Sequence, residues 1–370
     1  MIILKDKILE LLSIFNNNGY EAYVVGGYVR DLIMGKESFD VDVCTNATPK
    51  EMKEIFNEIN LPFESYGSVH LTYKNINFEI TTYRMELEYE NKRKPSRIVY
   101  TDKLIIDLKR RDFTINTLCM DKDENIIDLL DVSEDIDNKI IKSVGNADKK
   151  LKQDALRILR AVRFATQLDF EIDIELQNAI INNRENVREL SFYRKKEELN
   201  KIFSSPNVLN GIKLIKQFGL DKYLDINLDN DIVKTNDPIG IWVQVNPSEE
   251  YAFTNNEKEY MKAILDVLKD KNISDMELYK YGNYVCYIAC QILGLNTTDI
   301  YDRYDNLPIK SENDIAVSAK EIINALKLED KALVKEIISD LEYRIINKDI
   351  KNEKKKLFKY IIDTYAFNML

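Results

Sequence analysis

The sequence has a single histidine, His70, and only four cysteines in 370 residues. One histidine cannot supply a His-Asp metal cluster of the kind a fused phosphohydrolase needs, and it removes reactions built on paired histidine ligands. Cys44, Cys119, Cys286 and Cys290 are scattered, without Cys-x-x-Cys spacing, so the expectation is reduced thiols and no zinc ribbon. No stretch approaches the roughly 18 uncharged apolar residues of a membrane span. Residues Met1 to Lys7 lack the basic, apolar and small-residue pattern of an export signal. A cytoplasmic chain without a membrane partner is expected. Internal repeats and low-complexity linkers are also missing. Positive charge is in deficit, with 53 Lys and Arg against 63 Asp and Glu, which argues weakly against a nucleic-acid partner. Its distribution matters more, because segments 92–111 and 139–163 each hold eight basic residues.

The length exceeds one ordinary core, and 45% apolar residues fill more than one module. Helices and short alternating strands mix over the first 130 residues, with strands at Glu21–Val25, Phe39–Thr45, Val69–Tyr73, Phe78–Tyr83 and Ile98–Tyr100. Thr48-Pro49-Lys50-Glu51 is a capping box that opens a helix. From about residue 150 helical periodicity dominates, beginning with a helix over 150–165, and segment 221–256 is less regular.

Three short motifs carry chemistry. In Phe39-Asp40-Val41-Asp42-Val43 period-two alternation puts Phe39, Val41 and Val43 on a core face and both aspartates on the other. Two neighbouring carboxylates suit Mg²⁺, which takes one or two protein carboxylates together with substrate phosphates. Upstream, Val24-Val25-Gly26-Gly27-Tyr28-Val29-Arg30-Asp31 is a strand, a glycine turn and a helix start, where the backbone can approach a phosphate and Arg30 can add a contact. Its bland alternative is a tight turn with an Arg30–Asp31 surface pair. Downstream, Asn77-Phe78-Glu79-Ile80-Thr81-Thr82-Tyr83-Arg84 sets Glu79 opposite Phe78 and Ile80 as a third carboxylate.

Taken with Arg110-Arg111-Asp112-Phe113-Thr114-x-Asn116, these motifs fall in the order and spacing of the polymerase-β-like nucleotidyltransferases. The chain most resembles the class II tRNA nucleotidyltransferases and bacterial poly(A) polymerases. The resemblance continues into Asp154-Ala155-Leu156-Arg157-Ile158-Leu159-Arg160-Ala161-Val162-Arg163-Phe164. Helical spacing wraps Asp154, Arg157, Arg160 and Arg163 around one half of that segment, with Ala155, Ile158, Leu159 and Val162 on the other.

The resemblance implies an α+β fold. A small mixed-sheet head (1–125) is followed by a helical neck (126–190), body (191–256) and tail (257–370), the tail expected to contact tRNA. It implies Asp40 and Asp42 as ligands of Mg²⁺ with Glu79 assisting, and Gly26, Gly27, Arg30, Arg111, Asp112 and Asn116 around the nucleotide. Arg160 and Arg163 are implied for phosphates or a base. Asp154 and Arg157 are implied to choose the base: a guanidinium donates to ring acceptors, while a carboxylate accepts from the exocyclic amine that cytosine and adenine carry. Uracil and guanine offer a carbonyl there, a mismatch costing roughly 1–3 kcal/mol. The implied activity is addition of C, C and A to tRNA 3′ ends from CTP and ATP, with no DNA partner. A-only, CC-only or poly(A) addition stays open as an alternative, as does a non-catalytic RNA-binding protein.

Several positions depart from the family pattern. Gln153 stands where Glu is usual and Lys150-Leu151 where Arg-Phe is usual. In the flexible loop Tyr89–Pro95, Asn91 and Lys94 replace Asp and Arg. The segment Ser191–Leu199 keeps a Ser-x-Glu-Arg motif only at Ser191, Arg194 and its acidic-leucine end.

Overall fold

The computed structural model describes residues 2–56, 59–63, 67–90, 94–328 and 331–366, and the chain forms two compact units, Met1–Ile226 and Asn227–Leu370. The boundaries read from sequence at 125 and 190 fall inside the first unit, and the one at 256 inside the second.

The first unit opens with α1 (Ile2–Asn17), β1 (Ala22–Val25), α2 (Gly27–Ile33), β2 (Val41–Thr45), α3 (Pro49–Ile55) and β3 (Ile59–Phe63). Next come β4 (Ser68–Tyr73), β5 (Ile76–Thr82), β6 (Arg84–Glu90), β7 (Lys94–Tyr100), α4 (Leu104–Arg110), β8 (Cys119–Met120) and β9 (Ile126–Ile127). Seven strands form one mixed sheet in the order β3-β4-β5-β2-β1-β8-β9, and β6 and β7 make a separate hairpin. Helix α1 buries Ile8, Leu11, Leu12 and Phe15, the period of an amphipathic helix. Thr48 and Glu51 close the capping box read from sequence. Within β2, Val41 and Val43 are buried and Asp42 points away from them.

Phe39 does not join that core face. It precedes β2, whose first register partner is Val41 opposite Phe78, and it is 73% exposed. Alternation sorts side chains only where the strand is paired. Asn91 of the expected flexible loop lies outside the described residues.

Helices then dominate the unit: α5 (Ser133–Asp137), α6 (Ala147–Gln153), α7 (Leu156–Leu168), α8 (Ile174–Asn183), α9 (Phe192–Phe203), α10 (Val208–Phe218) and α11 (Asp221–Leu224), with short strands at Ile140–Ile141 and Glu171–Ile172. The single helix expected over 150–165 is two. The chain leaves helical geometry at Asp154, with φ −146° and ψ 108°, and restarts as α7. A Cβ on Gly211 of α10 would stand 2.6 Å from Ile202 of α9 and 2.8 Å from the Thr166 hydroxyl of α7. Overpacking of that kind costs about 1–3 kcal/mol, partly offset by the better helix propensity of alanine. Gly211→Ala is therefore expected to lower stability by about 1–2 kcal/mol, measured as a lower melting temperature with CTP affinity unchanged.

In the second unit the elements are α12 (Pro238–Gln244), α13 (Asn255–Asp270), α14 (Asp275–Leu293), α15 (Ile300–Asp305), α16 (Ala319–Leu326), α17 (Lys331–Ile346) and α18 (Lys354–Ile361). Capping boxes start three of them, at Thr254/Glu257, Ser274/Glu277 and Ser318/Glu321. Trp242 is buried against Tyr251 and Phe253, with ring centroids 5.0 and 5.2 Å away, so this aromatic group is core. Among the described residues no helix is long and apolar enough to cross a membrane, and all four cysteines are buried and free.

Candidate active site

Parallel pairing of β2 with β5 places Asp42 opposite Glu79 in register. Asp40 stands exposed just before β2, and Glu79 is exposed on β5. Asp42 is mostly buried and electrostatically perturbed. Burial, then the negative charges of Glu79 and Asp40, push its pKa up to about 6, while Arg111 and Arg160 act to lower it. A carboxylate destabilised by two like charges fits a divalent cation, which would relieve that repulsion. Among the described residues no three His, Cys, Asp or Glu side chains gather closely enough to hold a metal by themselves. The donor set therefore suits an ion that completes its shell with phosphate oxygens and water, as Mg²⁺ does.

Two glycines and an arginine border the carboxylates. Gly26 has φ +83°, and a Cβ there would lie 3.5 Å from Asp42 Oδ2 and 3.8 Å from Arg111 Nη1. Glycine serves both the left-handed turn and the close approach. Gly27 begins α2, beside the Arg30 guanidinium. Arg111 ends α4 and donates from Nη2 to Asp107 Oδ2 at 3.2 Å. Asp107, fully buried, also accepts from Arg110 Nε at 2.8 Å and from the Arg84 N–H at 3.3 Å. Burial works most strongly against the Arg111 charge, but Asp107, Cys44, Cys119 and Asp42 together outweigh it and the pKa is raised. Asp107→Asn keeps the shape and removes the charge that holds two guanidinium groups. It is expected to cost about 2 kcal/mol of stability, the scale of a charged hydrogen bond, and to raise KM for CTP and ATP several-fold. Unchanged KM values would dissociate Asp107 from the site.

A second set runs from α2 to α7. Arg30 is buried, donates from Nη1 to Asn116 Oδ1 at 2.9 Å, and pairs with Asp31 at 2.7 Å. Asn116 in turn donates to Asp112 Oδ1 at 3.3 Å, and Asp112 Oδ2 accepts from Arg160 Nε at 2.6 Å. Burial raises the Asp112 pKa, but Arg160, the Phe113 N–H and Asn116 bring it down to about 2. The Phe164 ring lies under three guanidinium groups, those of Arg163, Arg160 and Arg30, at 4.2, 5.3 and 5.5 Å. Arg163 pairs with Glu198 of α9 at 2.8 Å. Within the charged half of α7, Arg163 is thus buried, Arg160 is half-buried, and both are internally paired.

Asp154 and Arg157 are held by different partners. Asp154 Oδ1 accepts the Leu156 N–H at 3.0 Å, and its Oδ2 accepts from Arg194 Nη2 at 3.2 Å. Arg157 is buried and donates to the carbonyls of Lys150 and Arg110 at 3.0 and 3.3 Å, and to Gln153 Oε1 at 3.3 Å. Gln153 thus keeps the acceptor that a Glu would offer while dropping the charge. Lys150 donates to the carbonyls of Lys109 and Arg111 at 2.7 and 2.9 Å. Burial, then the neighbouring Arg157, bring its pKa down to about 7. Lys150 and Arg157 together satisfy the last carbonyls of α4, which lack partners within the helix. The motif reading gave no role to Asp107 or the Phe164 ring, although Asp107 meets Arg110 and Arg111 at the i,i+3 and i,i+4 spacing of one helix turn and Phe164 meets Arg160 and Arg163 of its own helix. Glu198 lay in the retained acidic-leucine end, but its partner Arg163 is in another helix. Arg194 carried a signal, as a retained position of the Ser-x-Glu-Arg motif.

A mixed sheet presenting paired carboxylates beside a glycine turn, with an arginine-rich helix attached, defines a nucleotidyltransferase. Comparison with known proteins agrees. Residues 22–142 match the poly A polymerase head domain, residues 169–227 the probable RNA and SrmB-binding site of polymerase A, and residues 249–361 the putative tRNA nucleotidyltransferase domain 2. A CCA-adding enzyme of Ligilactobacillus salivarius is 32% identical over 95% of both chains. One from Staphylococcus haemolyticus is 31% identical over 95% of this chain and 96% of its own. The crystal structure of the Bacillus stearothermophilus CCA-adding enzyme in complex with CTP superposes with a TM-score of 0.88, at 26% identity and 98% coverage of each chain. The chain belongs to the CCA-adding enzyme family and is a nucleotidyltransferase. Enzymes of this kind generally use divalent metals.

Proposed function

We propose that the chain adds C, C and A in turn to the 3′ end of tRNA, from CTP and ATP, with release of pyrophosphate, and that the side chains described above carry out the steps. The observation that carries the reading is the register of Asp42 with Glu79, which sets an electrostatically strained carboxylate beside the glycine turn and Arg111. Asp40 and Asp42 would hold Mg²⁺, which when bound makes the RNA 3′-hydroxyl a competent nucleophile and neutralises the triphosphate. Glu79 assists by orienting that carboxylate pair. Gly26 and Gly27 let the triphosphate approach the backbone, and Arg30 and Arg111 steady it. Asp112 and Asn116 keep Arg30 and Arg160 in place through the hydrogen bonds described above. Asp154 accepts from the exocyclic amine of C or A, Arg157 donates to the neighbouring ring acceptor, and Arg160 and Arg163 flank the nucleotide.

The head extends over 1–125, the neck over 126–190, the body over 191–256 and the tail over 257–370. Basic residues of segments 92–111 and 139–163 would meet RNA phosphates. The enzyme works in the cytoplasm, in keeping with its four free cysteines.

A tRNA transcript lacking CCA, incubated with Mg²⁺ and with CTP and ATP singly and together, tests the product at one-nucleotide resolution. Three added nucleotides with both substrates, and two with CTP alone, are expected. One A on a CC-ended tRNA only, two C residues without A, or a long A ladder would each assign a restricted activity instead. No extension of any RNA end would leave an RNA-binding protein.

A further inference from the structure

Asp154 lies at the break between α6 and α7, and its two oxygens are fixed from two directions. The Leu156 N–H holds Oδ1 from within the chain's own turn, and Arg194 holds Oδ2 from α9. The first contact alone pins one oxygen and leaves the plane of the carboxylate free to swing, because the terminal torsion of an aspartate is broad. The second contact, from a separate helix, fixes the plane. Arg194 is set in the first turn of α9, where its own N–H is accepted by the Ser191 hydroxyl cap. One turn further, Glu198 of the same helix pairs with Arg163. Helix α9 therefore holds the charged face of α7 at both ends. Each Asp154 oxygen keeps a lone pair beyond these contacts, enough to accept a base amine.

We infer that Arg194 is a positioning residue for nucleotide choice: it aims the Asp154 carboxylate at the exocyclic amine of the incoming nucleotide without touching the nucleotide itself. This rests on the reading that Asp154 selects the base. A planar guanidinium suits the task, since its fork has fixed geometry where an ammonium has none.

The experiment compares the full-length enzyme with Arg194→Ala, Arg194→Lys, Asp154→Ala and the Arg194→Ala/Asp154→Ala double variant, measuring KM, kcat and the CTP/UTP preference on a tRNA lacking CCA. Loss of one charge-assisted hydrogen bond corresponds to about a tenfold change. Arg194→Ala is expected to raise KM for CTP and ATP about tenfold and to lower the CTP/UTP preference by a similar factor. Arg194→Lys should restore part of the preference, and Arg194→Ala should add nothing once Asp154 is gone. An Arg194→Ala enzyme that melts lower yet keeps the wild-type preference and KM would overturn the inference, as would an undiminished effect in the Asp154→Ala background. If Asp154→Ala itself keeps the wild-type preference, the assignment of Asp154 fails and the inference with it. A shifted preference in Asp154→Ala but not in Arg194→Ala sinks the positioning role alone.

Discussion

Replacing Asp42 by Asn is expected to lower nucleotide addition by at least about a thousandfold, the scale at which removing one catalytic charge-stabilising group acts, while tRNA affinity stays near wild type. An asparagine side chain offers one neutral oxygen where Asp42 offers a charged pair, so the carboxylate set opposite Glu79 would lose one of the two charges that would hold the metal. Stability should move the other way. The Asp42 pKa is raised in the folded state from 3.8 to about 6 by burial, Glu79 and Asp40. Between those values the folded chain keeps a proton that the unfolded chain has released. Stability contributed by the protonated carboxyl is therefore present below about pH 4 and lost as pH rises towards about 6, a difference of about 3 kcal/mol. Metal-free Asp42→Asn is thus expected to melt several degrees above wild type at about pH 8, with the gap closing near pH 4. Mg²⁺ added at the higher pH should stabilise wild type and leave the variant unmoved. An Asp42→Asn enzyme that extends tRNA at the wild-type rate would remove Asp42 from the chemistry.

Asp154→Ala is expected to lower the preference for CTP over UTP by about a hundredfold or more. Two effects add: cytosine loses an acceptor for its amine, worth about 1.5–3 kcal/mol when the acceptor is charged, and uracil is relieved of a carbonyl facing a carboxylate, roughly 1–3 kcal/mol. ATP over GTP should fall likewise, because guanine has the same carbonyl. Incorporation of U and G into the three terminal positions, read by sequencing the extended ends, is the measurement. The effect belongs to choice and not to transfer, so the rate with saturating CTP should fall far less than in Asp42→Asn. A variant that slows with every nucleotide equally and keeps its preference would assign Asp154 a structural role only.

Much of this site was legible in the sequence because its parts are local. The Asp40-x-Asp42 spacing, the Gly26-Gly27 turn after β1 and the Thr48–Glu51 box each report a backbone geometry within a few residues, and the structure forms a strand, a turn and a capped helix there. Phe39 shows where such reading stops. Period two sorts side chains only once a partner strand is present, and pairing begins at Val41. Apolar periodicity likewise ran across Asp154, because a one-residue break barely disturbs a helical pattern. What interrupts the helix there is an aspartate whose side chain accepts the Leu156 N–H two residues on, the local hydrogen bonding that makes this residue type a poor helix interior.

Least legible were the partners. Arg30 meets Asn116 across 86 residues, Arg160 meets Asp112 across 48, and Arg194 meets Asp154 across 40. No local spacing encodes such pairs, which arise from how the sheet and α7 pack. The arginines of α7 illustrate the consequence. A basic stripe on an amphipathic helix reads as solvated surface, yet Arg157 and Arg163 are buried, one on backbone carbonyls and the other on Glu198 and the Phe164 ring. In the second unit helical periodicity reported the longer helices, but α12 formed inside segment 221–256, read as less regular, and Gly282 is the one residue inside α14 that departs from helical geometry.

On the function proposed above, the protein itself selects C and A without a nucleic-acid template. Equilibrium binding of CTP, ATP, UTP and GTP to the RNA-free, full-length enzyme in Mg²⁺ tests it most directly. CTP and ATP are expected to bind at least about tenfold more tightly than UTP and GTP, the penalty for one unpaired carbonyl facing a carboxylate, and that gap should close in Asp154→Ala. Equal affinity of the wild-type enzyme for all four nucleotides would contradict selection by Asp154 and Arg157.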